Sequence, residues 1–275
     1  MTTPVMYLSL VVPVYNGESF VEENVSHIVE TLARQGRSFE VIVVCDGCTD
    51  RTEERARAIS DPRVRVLAYG TNAGKGEAVT KGLLASRGRL VGWLDADLDI
   101  EPEVILRAAE RFEQEPVDAV IGSKRHPDSE VTYPWLRRLY SWGFQRLVAF
   151  LFRFSARDTQ VGAKLFRREA IDVVAPLLLI KRYAFDLEVL AVAAEFGFDR
   201  VEEIPIALQY RFSGTQINWK AVHQMMLDTL AIAYRIHLRH WYVRRFASLE
   251  RQRMDAVVAS REQMAEARGS EMVAP

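Results

Sequence analysis

Cysteine is almost missing from this 275-residue chain: it has two, Cys45 and Cys48, three positions apart. Two neighbouring thiols cannot staple a small secreted scaffold, so a disulfide framework is excluded and a reducing compartment is expected. An excess of one charge is missing too. Lys and Arg total 36 against 37 Asp and Glu, so no overall field draws the chain to nucleic acid, and attraction to an acidic surface must come from local clusters. No apolar run approaches the ~20 residues that a membrane span requires. The longest, around Leu147–Phe152 and Met225–Ile236, are short or broken by Arg and Asp. No basic region precedes the first apolar stretch, which Pro13 soon interrupts, so no signal peptide is expected. Internal repeats and low-complexity tracts are absent.

What remains has the composition of a soluble globular protein, with 49% hydrophobic and 27% charged residues. Its first hundred residues alternate two periodicities. Apolar, β-branched runs at 7–15, 39–47, 64–70 and 89–97 read as strands, and segments 19–36, 49–60 and 74–88 have helical spacing. In the first helix Phe20, Val21, Val25, Ile28, Val29 and Leu32 share one side, and Gly36 stops it. Continuous apolar strands separated by helices predict an α/β fold, a mostly parallel sheet covered on both faces. A helix (102–114), a strand (117–125), an aromatic and basic segment (133–154), a helix (184–197) and a strand (200–212) follow. From residue 218 the chain reads as a helical extension with a polar, frayed end, which divides it into a unit of 1–217 and an extension of 218–275.

In such sheets ligands sit beyond the carboxyl ends of the strands, so the chemistry is expected just after each run. The fourth ends in "WLDADLD". Asp95, Asp97 and Asp99 alternate along an extended segment and would project to one side. Three such charges are costly in a partly dry cleft unless a divalent cation joins them, and oxygen ligands suit Mg2+ or Mn2+. The second run supplies Asp46, a carboxylate that can accept hydrogen bonds from a base or sugar, and Gly47 permits a sharp turn. The pair Cys45 and Cys48 in "VVCDGCTD" falls at the end of that strand rather than at a helix N-terminus. Cys45 therefore reads as a small buried filler, and zinc would need two further ligands. In "NAGKGEA", Lys75 can meet a phosphate as a point charge between glycines that allow close backbone approach.

Taken in order, "VVPVYN", "VVCDGCTD", "NAGKGEAV", "LDADLD", "IGSKR" and "DTQVGAKLFRREA" resemble the signature segments of family 2 inverting glycosyltransferases. More narrowly, they are similar to the polyprenyl-phosphate sugar transferases, the dolichyl-phosphate glucose and mannose synthases, over residues 7–215. The glucose branch is the closer. The resemblance implies a type-A glycosyltransferase fold. It implies a nucleotide pocket at Pro13, Tyr15, Asp46 and Lys75, with Asp95 near the ribose or metal. The Asp-x-Asp metal site falls on Asp95 and Asp97, with Asp99 where some relatives place a third ligand. The acceptor-phosphate site falls on Lys124, Arg137 and Ser141. The chain departs from the pattern at Cys45 and Cys48, and at Gly17, where the family has Glu and this chain has Glu18 next door.

The chemistry so implied is transfer of a hexose from a nucleotide sugar, UDP-glucose first and GDP-mannose second, to a polyprenyl phosphate. The acceptor oxygen is already anionic near neutral pH. Lys124 and Arg137 would hold it, and single displacement would invert the anomeric centre. Asp186 in "AFDLE" is either a base, a sugar-positioning group or a charge on a packed helix. Gln160 either bonds the sugar or orders its loop. Segments 133–154 and 225–246 mix aromatics, aliphatics and Arg. They suit helices lying in a bilayer interface, or else core-packed helices or a homo-oligomer contact. The first of these implies a peripheral enzyme on the cytoplasmic face of a membrane. Two other readings remain: a family 2 transferase with a soluble sugar or hydroxyl acceptor, and a nucleotide-binding protein without turnover.

Overall fold

The structure is a computed structural model that describes residues 6–130, 135–152, 156–208 and 219–271, with the backbone alone for 135–142 and 257–271. Seven strands form one sheet: β1 (Leu8–Val14), β2 (Phe39–Asp46), β3 (Val64–Tyr69), β4 (Leu90–Leu94), β5 (Ala119–Ser123), β6 (Ala163–Arg167) and β7 (Val201–Pro205). Their order is β3-β2-β1-β4-β6-β5-β7. All pairings are parallel except those of β6, which runs antiparallel to β4 and β5. The expected mostly parallel sheet is present. β6 is an addition to it, because the sequence pattern places no strand between residues 125 and 200.

The helices are α1 (Val21–Ala33), α2 (Thr52–Ala58), α3 (Lys75–Ala85), α4 (Glu103–Gln114), α5 (Trp135–Leu151), α6 (Arg168–Val174), α7 (Phe185–Glu195), α8 (Trp219–Ala233) and α9 (Trp241–Glu271). The alternation of β1 sorts them into two layers. Leu8, Leu10 and Val12 face one core with α1 and α4, whose stripes include Val25, Ile28 and Ile105. Val11 faces the other core with Val79 and Leu83 of α3 and Leu187 and Leu190 of α7. Both layers are clusters of buried aliphatic and aromatic side chains, whose burial removes apolar surface from water at roughly 25 cal/mol per Å². They hold the strand ends still.

α8 and α9 join the second core. Ile232, Ala233, Ile236 and Tyr242 are buried there, across a single π-helical turn at Tyr234–Leu238. The expected division at residue 217 falls outside the described residues. Among the described residues, no helix is long and apolar enough to cross a membrane.

Candidate active site

Strand order reverses between β1 and β4, the place where open α/β sheets bind ligands. A cleft of about 280 Å³ opens there, and Pro13, Tyr15, Asp46, Lys75, Asp95 and Asp97 all line it. It continues into a wider hollow of about 730 Å³ that shares Tyr15, Asp46 and Lys75 and adds Gln160, Arg182, Tyr183 and Asp186. Eight of the residues singled out in the sequence thus line one continuous depression.

Asp46 is the last residue of β2 and is 3% exposed. Its carboxylate accepts hydrogen bonds from the Tyr69 hydroxyl and the Ala73 N–H on Oδ1, and from the Gly74 N–H on Oδ2, each at 2.8 Å. A buried carboxylate requires such partners. These tie the Asn72–Gly74 loop to the strand end and leave one acceptor direction on Oδ2. The turn after Asp46 needs glycine: Gly47 has φ +61°, and a Cβ there would collide with the Thr71–Asn72 backbone. Tyr69 gives no sequence signal of this role. Burial and the bond to Asp46 push its phenol pKa upward.

Lys75 opens α3 and reaches across to Asp95, with Nζ 2.7 Å from Oδ1 and 3.0 Å from Oδ2. The two side chains are 35% and 37% exposed, since they form a floor open to the cleft on one side. Burial works to lower the Lys75 pKa, but Asp95 and Asp186 outweigh it and the value is raised. Asp95 is also raised. Its desolvation, helped by Asp97 and Asp186, exceeds the relief from Lys75. Asp97 is raised by burial first and by Asp99 as well.

Two residues that the sequence reading missed hold this pair of aspartates. Asn24 of α1 donates from Nδ2 to the Ala96 carbonyl at 2.8 Å, fixing the turn between them. Its signal is a polar residue inside the apolar stripe of Val21, Val25 and Ile28. Gly162 lies against Asp95, and a Cβ there would collide with the carboxylate.

Asp99 does not join them. The chain leaves the extended conformation after Leu94, Leu98 takes φ +52°, and the Asp99 N–H donates to Asp97 Oδ1 at 3.2 Å. Alternation along a strand therefore does not apply past Leu94, and the three carboxylates expected to converge do not gather within ligand distance of one another. Among the described residues the group whose ligand atoms do gather is His27, Glu101 and Glu103. Arg34 already pairs with Glu103 at 2.9 Å there, as in an ordinary surface ion-pair cluster.

The donor set nevertheless fits a divalent cation. Asp95 and Asp97 offer hard oxygen atoms, burial makes their charge costly, and the missing Cβ of Gly162 leaves the room that the Asp95 carboxylate occupies.

Asp186, in the first turn of α7, is 5% exposed and pairs through Oδ1 with Nζ of Lys164 at 2.5 Å. Lys164 stands on β6 and is wholly buried. Gln160 lines the same hollow, and its Nε2 is buried without a hydrogen-bond partner. Lys124 follows β5. Its N–H donates to Asp158 Oδ2 at 2.9 Å, and its Nζ lies 3.9 Å from Asp158 Oδ1; it does not itself line either part of the depression. Arg137 and Ser141 fall on α5, while their side chains lie outside the described residues. Glu18 turns to α2, where its carboxylate accepts the Arg51 N–H at 2.9 Å. At position 17 a Cβ would press on Phe20 at 2.6 Å. Both cysteines are free thiols. Cys45 is buried, and desolvation followed by Cys48 pushes its pKa up to about 12.

The family model described as "Glycosyl transferase family 2" matches residues 9–174. The chain belongs to glycosyl transferase family 2. This glycosyltransferase is 35% identical over 221 residues to the human dolichyl-phosphate beta-glucosyltransferase, covering 74% of this chain and 66% of the relative. Its identity to the protein of the same name from Dictyostelium discoideum is 29% over 256 residues, 87% of this chain and 77% of that one. Among solved structures it resembles glucosyl-3-phosphoglycerate synthase from Mycobacterium tuberculosis in complex with Mn2+, UDP-glucose and phosphoglyceric acid. The TM-score is 0.63 at 19% identity, over 83% of this chain and 80% of that one. The fold of this glycosyltransferase is the type-A fold of nucleotide-sugar-dependent transferases.

Proposed function

We propose that this glycosyltransferase moves glucose from UDP-glucose to a polyprenyl phosphate, with Mg2+ or Mn2+ held by Asp95 and Asp97 and with inversion at the anomeric carbon. The observation that carries this reading is the shared depression at the switch point, where Tyr15, Asp46, Lys75, Asp95 and Asp97 line one wall after another. The sequence relatives are named for glucosyl transfer to dolichyl phosphate, and the structural neighbour holds UDP-glucose and Mn2+ in a similar fold.

The half-exposed ring of Tyr15 offers a face for the base. Asp46, whose Oδ2 accepts a single hydrogen bond, lines the same space. Lys75 brings an ammonium to the diphosphate position, where it offsets negative charge as a point cation. A divalent cation, when bound, withdraws charge from the nucleoside diphosphate as it leaves. Pairing with Asp95 keeps Lys75 protonated and directed at that position. The hollow beyond it, between Gln160 and Asp186, is the place for the hexose. The family resemblance assigns the acceptor phosphate to Lys124, Arg137 and Ser141, which would place it against the β5 end and α5 for in-line attack. The lipid acceptor calls for peripheral contact with a membrane. Leu227, Leu230, Tyr234 and Leu238 form an exposed apolar row along α8 and its π-turn, beside Arg239 and Arg244, and this row supports that reading.

The test is a transfer assay with UDP-glucose or GDP-mannose as donor and polyprenyl phosphate or phosphoglycerate as acceptor, with and without Mn2+. Metal-dependent formation of polyprenyl-phosphate glucose from UDP-glucose is expected. Transfer confined to the soluble acceptor would overturn the lipid assignment, and transfer confined to GDP-mannose would overturn the donor.

A further inference from the structure

Glu188, in the first turn of α7, is wholly buried, and it lines neither part of the depression. A carboxylate held out of water is costly unless its oxygens are bonded, and here the partners lie outside α7. Oε2 accepts the N–H groups of Leu179 at 2.9 Å and Ile180 at 2.8 Å. Oε1 accepts the hydroxyl of Tyr242 at 2.6 Å, and Tyr242, 1% exposed, belongs to α9. Arg235, in the π-turn between α8 and α9, lies alongside with Nη1 4.0 Å from Oε1. One side chain thus joins the C-terminal helices to the segment that leads into α7.

That segment rests on the start of α3. No side chain caps α3, and the free N–H groups of a helix's first turn need acceptors. The Lys181 carbonyl serves them, accepting from the Gly76 N–H at 2.8 Å and the Glu77 N–H at 3.4 Å. The approach leaves no room for side chains. A Cβ on Gly74 would meet the Lys181 carbonyl oxygen at 2.5 Å, and one on Gly76 would meet the Ile180 oxygen at 2.6 Å. Between these two glycines stands Lys75, which reaches to Asp95, and the Gly74 N–H holds Asp46. A shift of residues 179–181 would therefore move the backbone of Lys75 and the donor to Asp46 together.

We infer that Glu188, fastened from behind by Tyr242, is a positioning residue for the nucleotide pocket. It holds residues 179–181 on the start of α3 and so sets Lys75 and the Asn72–Gly74 loop for a nucleoside diphosphate. This rests on the nucleotide reading above and deepens it. By this route α9 is part of the frame of the donor site, although none of its described side chains lines the depression. A displacement of a fraction of an ångström at Lys75 weakens a charge-assisted contact that depends on geometry.

The experiment measures UDP affinity by calorimetry with Mn2+ present, the UDP-glucose KM and kcat, and the melting temperature. The proteins are wild type, Tyr242→Phe, Glu188→Gln, Glu188→Met and, as a control, Phe246→Leu. Glu188→Met strands two buried N–H groups and can fail to fold, whereas Tyr242→Phe removes a single hydroxyl and carries the test by itself. Tyr242→Phe should weaken UDP binding about threefold to tenfold, the scale of one hydrogen bond. The UDP-glucose KM should rise by the same factor while kcat stays within about twofold, as for a loss of uniform binding. Glu188→Gln should bind UDP as wild type does, because its amide oxygen can accept both N–H groups and its NH2 can donate to Tyr242. Phe246→Leu thins the edge contact of α9 with Phe196, whose ring centres are 5.1 Å apart. It should lower the melting temperature and leave the UDP Kd unchanged. A role in stability alone predicts that Tyr242→Phe melts earlier and binds UDP normally. That result, or a Kd that simply follows melting temperature across the set, would overturn the inference. Should wild type bind GDP in place of UDP, the donor reading falls, and the same comparison is made with GDP because the diphosphate is common to both. Should it bind neither, both fall.

Discussion

Lys75 Nζ grips both oxygens of Asp95, at 2.7 and 3.0 Å, on the floor of the cleft. One residue begins a helix and the other follows a strand, and neither is near the other in sequence. In the proposed function this pairing holds the ammonium ready for the diphosphate before a ligand arrives. Lys75→Met should leave the fold intact, because the pair is open to solvent on one side. It should lower kcat/KM roughly 10- to 100-fold, chiefly through a higher donor KM, as expected for loss of one charge-assisted contact to a diphosphate. Steady-state kinetics at saturating Mn2+ measure this. A variant with wild-type donor KM would remove Lys75 from the nucleotide pocket.

Gly162 predicts a contrast with another glycine. A Cβ at Gly162 meets the Asp95 carboxylate, whereas one at Gly143, exposed on α5, meets nothing within 4 Å. Gly162→Ala should displace Asp95 and reduce turnover by about 10²-fold, the effect of a misplacement near 1 Å. Gly143→Ala should raise stability by about 0.5–1 kcal/mol through helix propensity and leave turnover alone. Parallel melting curves and rate measurements on the two variants decide it.

Glu40 carries the clearest pH dependence. It is 3% exposed on β2 beside Ser9 of β1, and it accepts from Ser9 Oγ at 2.7 Å, Arg65 Nη1 at 2.6 Å and the Arg87 N–H at 2.9 Å. Burial pushes its pKa up, but these three donors outweigh burial and the value is lowered. A depressed carboxylate stabilises the native state above the ordinary glutamate value of 4.5. That contribution is lost as the pH falls through the folded value. Glu40→Gln should cost about 2 kcal/mol at pH 7, and the gap to wild type should narrow below pH 4.5. Denaturant melts at pH 7 and pH 3.5 compare the two.

Much of this was legible because the apolar runs are long and the chemistry follows their ends. β1, β2 and β4, together with the stripe of Val21, Val25, Ile28 and Leu32 on α1, are visible as periodicity, and their carboxyl ends name Pro13, Asp46 and Asp95. β6 was hidden for a physical reason. It is five residues long and contains Lys164, whose charge breaks the apolar pattern while a partner distant in sequence, Asp186, neutralises it. Asp99 was misplaced because alternation was extended into a turn, where Leu98 at positive φ redirects the chain. Asn24, Tyr69 and Gly162 act through contacts 23 to 72 residues away or across strands. Spacing along the chain carries no trace of such contacts.

The most direct measurement is glucosyl transfer from UDP-glucose to polyprenyl phosphate by wild type and Asp97→Ala, titrated with Mn2+ after chelation, with melting curves confirming that both are folded. Wild type should lose activity on chelation and regain it with Mn2+, while the variant should stay inactive at every Mn2+ concentration and show no thermal stabilisation by the ion. Undiminished transfer by the folded variant, or by chelated wild type, would contradict a cation site at Asp95 and Asp97.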